Sequence, residues 1–467
     1  MQEVKASMWV QYDTPGEEEQ EVQQAFAGLA AYLESYLEPL LICLDAYLDK
    51  RLVRTFVSAI VAIVCFRSKQ QALQLSELGA YLPGSAREPA KTKRLQRLLM
   101  SQKWSKSIID VFLWQRADKE VRQMKAAGER PLCIWDGSVL EKAESEKSEG
   151  ICSVVSSRAK RLRKQKKGNF NQRGGKPITV LGMEWTGVIV VGMKKIPMVV
   201  KMVWWSRKGE QATKQQKIER ALLHTISAAW KQSVLHVFDR GYASGPWLEC
   251  LETVHALFVI RWKKGHHFFD ENGNEMALSQ LVGRTRSRWH KELWNFQKRS
   301  LMKTGILVKQ VRHASYAGEL WVVVVRQKGE PWYLITNTPI TTEKEAWDVV
   351  FAYRGRWKIE TCFRYGKSEL CLETVSLQKQ EKREKMLILV MMVYMFLLWL
   401  MDEKQRKIVV LLLYHYCHRT GKKQREQDFP IYRVRWAISR YWLKYPPIFS
   451  FTALGDIPTL ECTTENI

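Results

Sequence analysis

Tyr353, Arg356, Glu360 and Lys367 follow one another at intervals of three, four and seven residues. Read as a single helix at about 100° per residue, they fall within an arc of roughly 60°. One face then presents a phenol, a guanidinium, a carboxylate and an ammonium. Such spacing usually serves a buried apolar stripe, yet all four residues are polar. The face suits a phosphodiester with a metal ion beside it. A guanidinium grips phosphate oxygens bidentately, an ammonium acts as a point charge, and a carboxylate offers oxygen to the ion.

Two further carboxylates stand where apolar runs stop. Leu132-Cys133-Ile134-Trp135 reads as a strand ending at Asp136, and Val234-Leu235-His236-Val237-Phe238 as one ending at Asp239. In α/β sheets functional side chains emerge at that end of a strand. A lone aspartate there is most often a cap or turn residue. Two of them, with the polar helix, favour a shared site. The first and fourth strands of such a sheet are commonly neighbours, so Asp136 and Asp239 can meet, and Glu360 can join them from a packed helix. Mg²⁺ prefers oxygen ligands and keeps several waters, so three carboxylates suffice. Two ions about 3.5–4 Å apart can activate a water or a 3′-hydroxyl and stabilise the leaving oxygen of an in-line displacement.

The elements that must position these groups follow from the texture of the chain. At 467 residues, with 46% hydrophobic residues and 19 Trp, it can build a large core over two or three domains. Residues 1–50 read as an acidic arm and a helix, and 50–125 as helical throughout. From about 130 the order is three strands, helix, strand, helix, strand, with strands at 178–192 and 197–205 and helices near 213–231 and 245–254. This predicts a mixed α/β sheet with helices on its faces. Residues 265–345 read as a β-rich insertion, with strands Leu320–Arg326 and Trp332–Thr336. Helix returns from 346 to 420, and 421–467 form a helical tail. The domain reading is therefore 1–125, 126–264, 265–345, 346–420 and 421–467.

Charge points to a partner. The chain carries 74 Lys+Arg against 48 Asp+Glu, a net charge of +26. An excess of this size implies a polyanion, most commonly nucleic acid. Between Arg158 and Lys176 there are nine Lys/Arg and no acid, which reads as a basic loop that condenses onto phosphates. The nine cysteines are scattered and include no C-x-x-C pair, so neither a disulfide framework nor a zinc site is expected, and a reducing cytosol fits. The acidic N-terminus reads as no signal peptide. Met386 to Met401 is sixteen apolar residues in a row, against the roughly 20 that a bilayer span needs, so a helix buried behind the sheet is expected.

The four-residue spacing resembles the Tyr-x2-Arg-x3-Glu-x6-Lys signature of a family of bacterial insertion-sequence transposases with an Asp-Asp-Glu triad. Trp135-Asp136-Gly137-Ser138 looks like the family's first-aspartate motif, and Asp239-Arg240-Gly241-Tyr242 like its second. Ile359-Glu360, with Phe363, Arg364 and Lys367, looks like the third. The match covers about residues 130–400. It implies a ribonuclease H-like core with a β-rich insertion and an all-helical N-terminal domain. It also implies Asp136, Asp239 and Glu360 as catalytic metal ligands for two Mg²⁺, with Mn²⁺ able to substitute. Arg356 and Lys367 would hold phosphates and Tyr353 would donate a hydrogen bond to one. By the same resemblance, Trp332, twenty-one residues before Tyr353, would stack on a base flipped from the duplex, and Arg261, twenty-two residues after Asp239, would touch phosphate.

The implied reaction is cut-and-paste: water nicks one strand, the freed 3′-hydroxyl makes a hairpin, water reopens it, and the end joins target DNA. The implied partners are double-stranded DNA, as terminal inverted repeats and as target, and a second copy in a homodimer bound to DNA. The implied place is the bacterial cytoplasm, near the nucleoid. The N-terminal helices would recognise the repeats, with Arg94, Arg97 and Lys103 the most plausible phosphate contacts although no clean helix-turn-helix is visible. Competing readings are a silent, domesticated DNA-binding protein, a nuclease of the same core without strand transfer, and a membrane protein built on 386–401.

Overall fold

The computed structural model describes residues 19–66, 72–142, 147–157, 177–192, 196–283, 285–295, 300–417 and 430–449. The basic loop at 158–176 therefore lies outside the described residues, as do most of the N-terminal acidic arm and the last part of the tail.

Five helices precede the sheet: α1 (Glu19–Asp45), α2 (Lys50–Cys65), α3 (Leu75–Tyr81), α4 (Glu88–Met100) and α5 (Lys106–Ala126). Asp49 starts α2, its carboxylate accepting the amides of Arg51 and Leu52 at 3.0 Å each, which satisfies donors that no helical carbonyl can reach. Nearly all of α2 from Val53 onward is buried. Its far end is closed by Arg435, from helix α13 (Ile431–Lys444), which donates to the carbonyls of Ile63 at 2.9 Å and Val64 at 3.2 Å. The described part of the tail is thus bound to the first helices.

The core strands are β1 (Leu132–Glu141), β2 (Cys152–Val155), β3 (Thr179–Val191), β4 (Met198–Trp205), β5 (Leu235–Phe238) and β6 (Leu257–Trp262). Helix α6 (Gln215–Trp230) joins β4 to β5, and α7 (Gly245–Thr253) joins β5 to β6. The order across the sheet is β4-β3-β1-β5-β6. Pairing is antiparallel from β4 through β3 to β1 and parallel from β1 through β5 to β6. The mixed α/β expectation holds, and the expected strands and helices fall within a few residues of their places. The short β2 was not foreseen; four residues give too little alternation to read.

Residues 265–345 are β-rich as expected: β7 (His267–Phe269), β8 (Glu275–Ala277), helix α8 (Leu278–Val282), β9 (Trp289–Asn295), β10 (Ser300–His313), β11 (Tyr316–Arg326) and β12 (Trp332–Thr336). They continue the same sheet, since β12 pairs with β6 and β11 with β12. After them come α9 (Glu343–Gly355), α10 (Trp357–Ser368), α11 (Gln380–Trp399) and α12 (Arg406–Tyr416).

Two sequence expectations need correction. β1 does not stop at Asp136 but runs five residues further, to Glu141, with Asp136 paired opposite Gly187 of β3. What ends near Trp135 is the buried apolar run and the pairing with the short β5, not the strand. The second concerns residues 353–367, which form two helices rather than one. The break falls at Arg356, whose amide bonds back only three residues, to Tyr353. Side-chain periodicity cannot show such a tightened turn.

Every residue from Met386 to Leu398 in α11 is buried, and the helix packs against α2, α4, α5, α13 and β4. Among the described residues no single helix is long and apolar enough to cross a membrane. Taken together α11 and α12 would pass on length and composition, but they bend by 76°.

Candidate functional site

Successive side chains on a strand point to opposite faces. Ile134 and Val237 enter the core beneath α9, α10 and α11, whereas Cys133, Trp135 and Phe238 enter the core on the other face. By the same alternation Asp136 and Asp239 point to the α10 side. The register that pairs Leu132 with Leu235 and Ile134 with Val237, carried two residues further, brings Asp136 level with Asp239. Trp135 fixes the neighbouring strands, its indole donating to His236 Nδ1 at 3.0 Å. Burial holds that imidazole down at about 3, so it stays neutral and accepts the bond.

Glycine brings the third carboxylate down onto the sheet. A Cβ on Gly187, opposite Asp136, would lie 2.8 Å from the Phe363 ring, and one on Gly366 would lie 2.8 Å from Leu372. Phe363 fills the space over Gly187 and packs on Trp185 at 4.5 Å. One turn before Phe363, α10 then carries Glu360 to the sheet end.

Arg356 ties the pieces together. Its Nη1 donates to Asp136 Oδ2 at 3.0 Å, and its Nη2 donates to Glu360 Oε1. Its Nε is buried and makes no hydrogen bond among the described residues. Burial works against the guanidinium's charge, but Asp136, Tyr353 and Glu360 outweigh it and hold Arg356 above its ordinary value. Burial likewise pushes the Asp136 carboxyl up to about 7. Arg356 opposes that rise while Asp239 and Glu360 add to it. Because this folded value exceeds that of an unfolded aspartate, the contribution of Asp136 to stability is present at low pH and lost as pH rises through 7. Urea titrations of metal-free protein between pH 4 and 8 are expected to show this loss, and Asp136→Asn is expected to flatten it. An unchanged slope in the variant would refute the assignment.

Each aspartate also accepts a nearby backbone amide, though only Asp239 does so as the cap of a turn after its strand. Asp136 Oδ1 accepts the Gly137 amide at 2.9 Å, and Asp239 Oδ1 accepts the Gly241 amide at 2.6 Å.

Among the described residues, no group of three or more His, Cys, Asp or Glu side chains is gathered closely enough to hold an ion as it stands. A cation already lies between the first and third carboxylates, however: the Arg356 guanidinium. The surrounding donors are carboxylate oxygens alone, the set that suits Mg²⁺. Asp136, Asp239 and Glu360 would fit a divalent ion only once Arg356 had turned to another anion.

Other expected residues divide into those gathered here and those held elsewhere. Trp332 packs edge-on against Tyr353 at 5.6 Å, and the Arg261 guanidinium lies 5.6 Å from the Trp332 ring. Arg261, paired opposite Leu334 in the β6–β12 ladder, also lies beside Tyr353. Tyr353 is buried and its hydroxyl is raised above the usual range by that burial, so it remains protonated as a donor. Lys367 is not in this group. Two turns beyond Glu360, its ammonium lies 3.8 Å from Glu373, with both side chains buried. Arg94 and Arg97 lie exposed on α4, which packs on α2, α3 and α11 away from the carboxylates. Lys91, on the same helix, is buried and donates to the Leu82 carbonyl at 2.7 Å.

Two neighbours were missed in the sequence. Trp357 is half exposed, 5.5 Å from the Arg356 guanidinium. Glu219 of α6 is buried behind the aspartates. Its signal was present, because it lies on the apolar stripe of Leu223, Ile226 and Trp230, where a carboxylate needs a reason.

The family model of the transposase DDE domain matches residues 209–396. That span holds Asp239, Arg261, Trp332, Tyr353, Arg356, Glu360 and Lys367, and it begins beyond Asp136. A search of curated proteins finds no match to the chain. Among solved structures, the chain is similar to the cryo-EM structure of a piggyBac transposase synaptic complex with hairpin DNA. The identity is 11% and the TM-score 0.38, over 86% of this chain and 75% of that one.

Proposed function

We propose that this chain is a DNA transposase that cuts at transposon ends and joins them to target DNA through Asp136, Asp239 and Glu360. The observation that carries the reading is Arg356 held between Asp136 and Glu360, level with Asp239, inside a chain whose residues 209–396 match the transposase DDE domain. The strand order β4-β3-β1-β5-β6, antiparallel on one side of β1 and parallel on the other, supports a ribonuclease H-like core. Bound Mg²⁺ or Mn²⁺ would activate the attacking water or 3′-hydroxyl and stabilise the leaving oxygen.

The chain's own residues do the rest. Asp136 offers oxygens from within β1, Asp239 from the end of β5, and Glu360 from α10. Arg356, with an unused buried Nε donor, turns from the carboxylates to a DNA phosphate, which releases the anionic pocket as the substrate arrives. Tyr353 and Arg261 donate to the backbone beside it, and Trp332 offers a face to a displaced base. Each strand cut, a hairpin intermediate included, is the same in-line displacement, so one site serves them all. Arg94 and Arg97, exposed on α4, are available to the inverted repeat, and a homodimer would hold two ends together.

The test uses linear DNA carrying the inverted repeats that flank the gene, supercoiled plasmid as target, and Mg²⁺. The expected result is cleavage at the repeat ends followed by joined product. Cleavage without joining would mean a nuclease, and binding with neither would mean a silent DNA-binding protein. With 2-aminopurine beside the cut, fluorescence is expected to rise in the complex; the same rise in Trp332→Ala would remove the role given to Trp332.

A further inference from the structure

Glu219 lies on the sheet face opposite Glu360, among the side chains that pack under α6. It is 4% exposed, and a carboxylate so buried persists only where polar partners replace its lost hydration. Two do so at the same oxygen. Gln215 Nε2, one turn earlier, donates to Glu219 Oε1 at 2.8 Å, and Tyr242 Oη donates to it at 2.8 Å.

Tyr242 ends the short 3₁₀ turn Arg240–Tyr242 that Asp239 begins. The turn is pinned at both ends. At its start Asp239 Oδ1 accepts the Gly241 amide at 2.6 Å, and at its finish the Tyr242 hydroxyl is bound by Glu219. The Tyr242 ring is buried against Phe238 at 5.1 Å and Trp247 at 5.3 Å, so it has little freedom to point elsewhere. A Cβ on Gly137, the residue after Asp136, would come within 3.9 Å of the Gln215 amide, so α6 also reaches β1 beside the first aspartate.

We propose that Glu219 is a positioning residue for the second aspartate: through the Tyr242 hydroxyl it fixes the turn that aims the Asp239 carboxylate toward Asp136. The α10 helix would form the front wall of the site and α6 its rear support. This rests on reading Asp239 as a metal ligand, and outer partners that orient a ligand commonly change metal affinity by about 10- to 100-fold.

The test measures Mn²⁺ binding to the full-length protein by electron paramagnetic resonance, alongside single-turnover cleavage against Mn²⁺ concentration. Tyr242→Phe removes one hydroxyl and keeps the packing; it is expected to weaken Mn²⁺ binding about 10-fold or more and to raise the Mn²⁺ needed for half-maximal cleavage by a similar factor. Glu219→Ala is expected to do the same. Glu219→Gln retains an acceptor for Tyr242 and is expected to stay within a few-fold of the parent. The double variant Tyr242→Phe/Glu219→Ala is expected to be no worse than either single one, because both remove one interaction. Parent-like Mn²⁺ binding in Tyr242→Phe would overturn the proposal. So would additive losses in the double variant, or a Glu219→Gln protein as weak as Glu219→Ala. A parent that binds Mn²⁺ but cuts no DNA would sink the transposase reading and leave the Mn²⁺ series to decide this one; a parent that binds no Mn²⁺ would overturn both.

Discussion

Arg356→Ala is expected to destabilise the metal-free protein by about 3 kcal/mol at pH 8, with Mg²⁺ returning a large part of the loss. The guanidinium is the cation bridging Asp136 and Glu360. Removing it leaves two carboxylates facing each other beside Asp239. The figure is taken from the low end for a broken buried pair, since the Glu360 side chain is 36% exposed and partly screened by water. The loss is expected to shrink toward pH 5, because Asp136 already holds its proton near neutrality and gives it up less readily without Arg356. Arg356→Lys keeps the charge but cannot span two carboxylates, so it is expected to recover only part of the stability. Urea unfolding with and without Mg²⁺ measures all of this. A variant as stable as the parent, or one indifferent to Mg²⁺, would show that Arg356 is not the counter-ion of a cation site.

The second large effect is expected at a residue with no functional group. Gly187→Ala places a Cβ 2.8 Å from the Phe363 ring and 3.0 Å from Met202 Sδ, closer than packed atoms allow. Phe363 is buried against Trp185 and cannot retreat freely, so α10 must lift. Overpacking of this kind costs about 1–3 kcal/mol. The effect on cleavage is expected to be larger, because displacing a reacting group by about 1 Å can cost roughly 10²-fold in rate. Parallel measurement of thermal stability and single-turnover cleavage separates the two. A variant that loses stability but cuts at the parent's rate would mean that the approach of α10 to the sheet does not set the position of Glu360.

How far the sequence foretells this arrangement depends on the range over which each signal acts. Asp136 and Asp239 are legible because the apolar runs before them end abruptly and strand alternation is local. The polar spacing at 353–367 is legible as an oddity, but the interruption of the helix at Arg356 is not. The tightened turn at Arg356 leaves no mark in the periodicity, and Lys367 ends beside Glu373. Gly187 is illegible in advance because its meaning depends on Phe363, which lies far along the chain and meets it only across the packed sheet. The insertion reads as β-rich from its alternation, yet nothing local reveals that β12 pairs with β6 and extends the same sheet. Glu219 shows the opposite case. Its place on a buried stripe is a local signal, but its partner Tyr242 becomes apparent only once β5 and α6 are packed together.

The most direct test of the central claim is Mg²⁺-dependent nicking of a DNA end bearing the inverted repeat, by the parent and by Asp136→Asn and Glu360→Gln. Losing a metal ligand removes several kcal/mol of transition-state stabilisation, equivalent to about 10³-fold in rate. The account predicts that the parent nicks, that both variants fall by at least that factor, and that both still bind the DNA end. Variants that cut as well as the parent would contradict the assignment of these carboxylates.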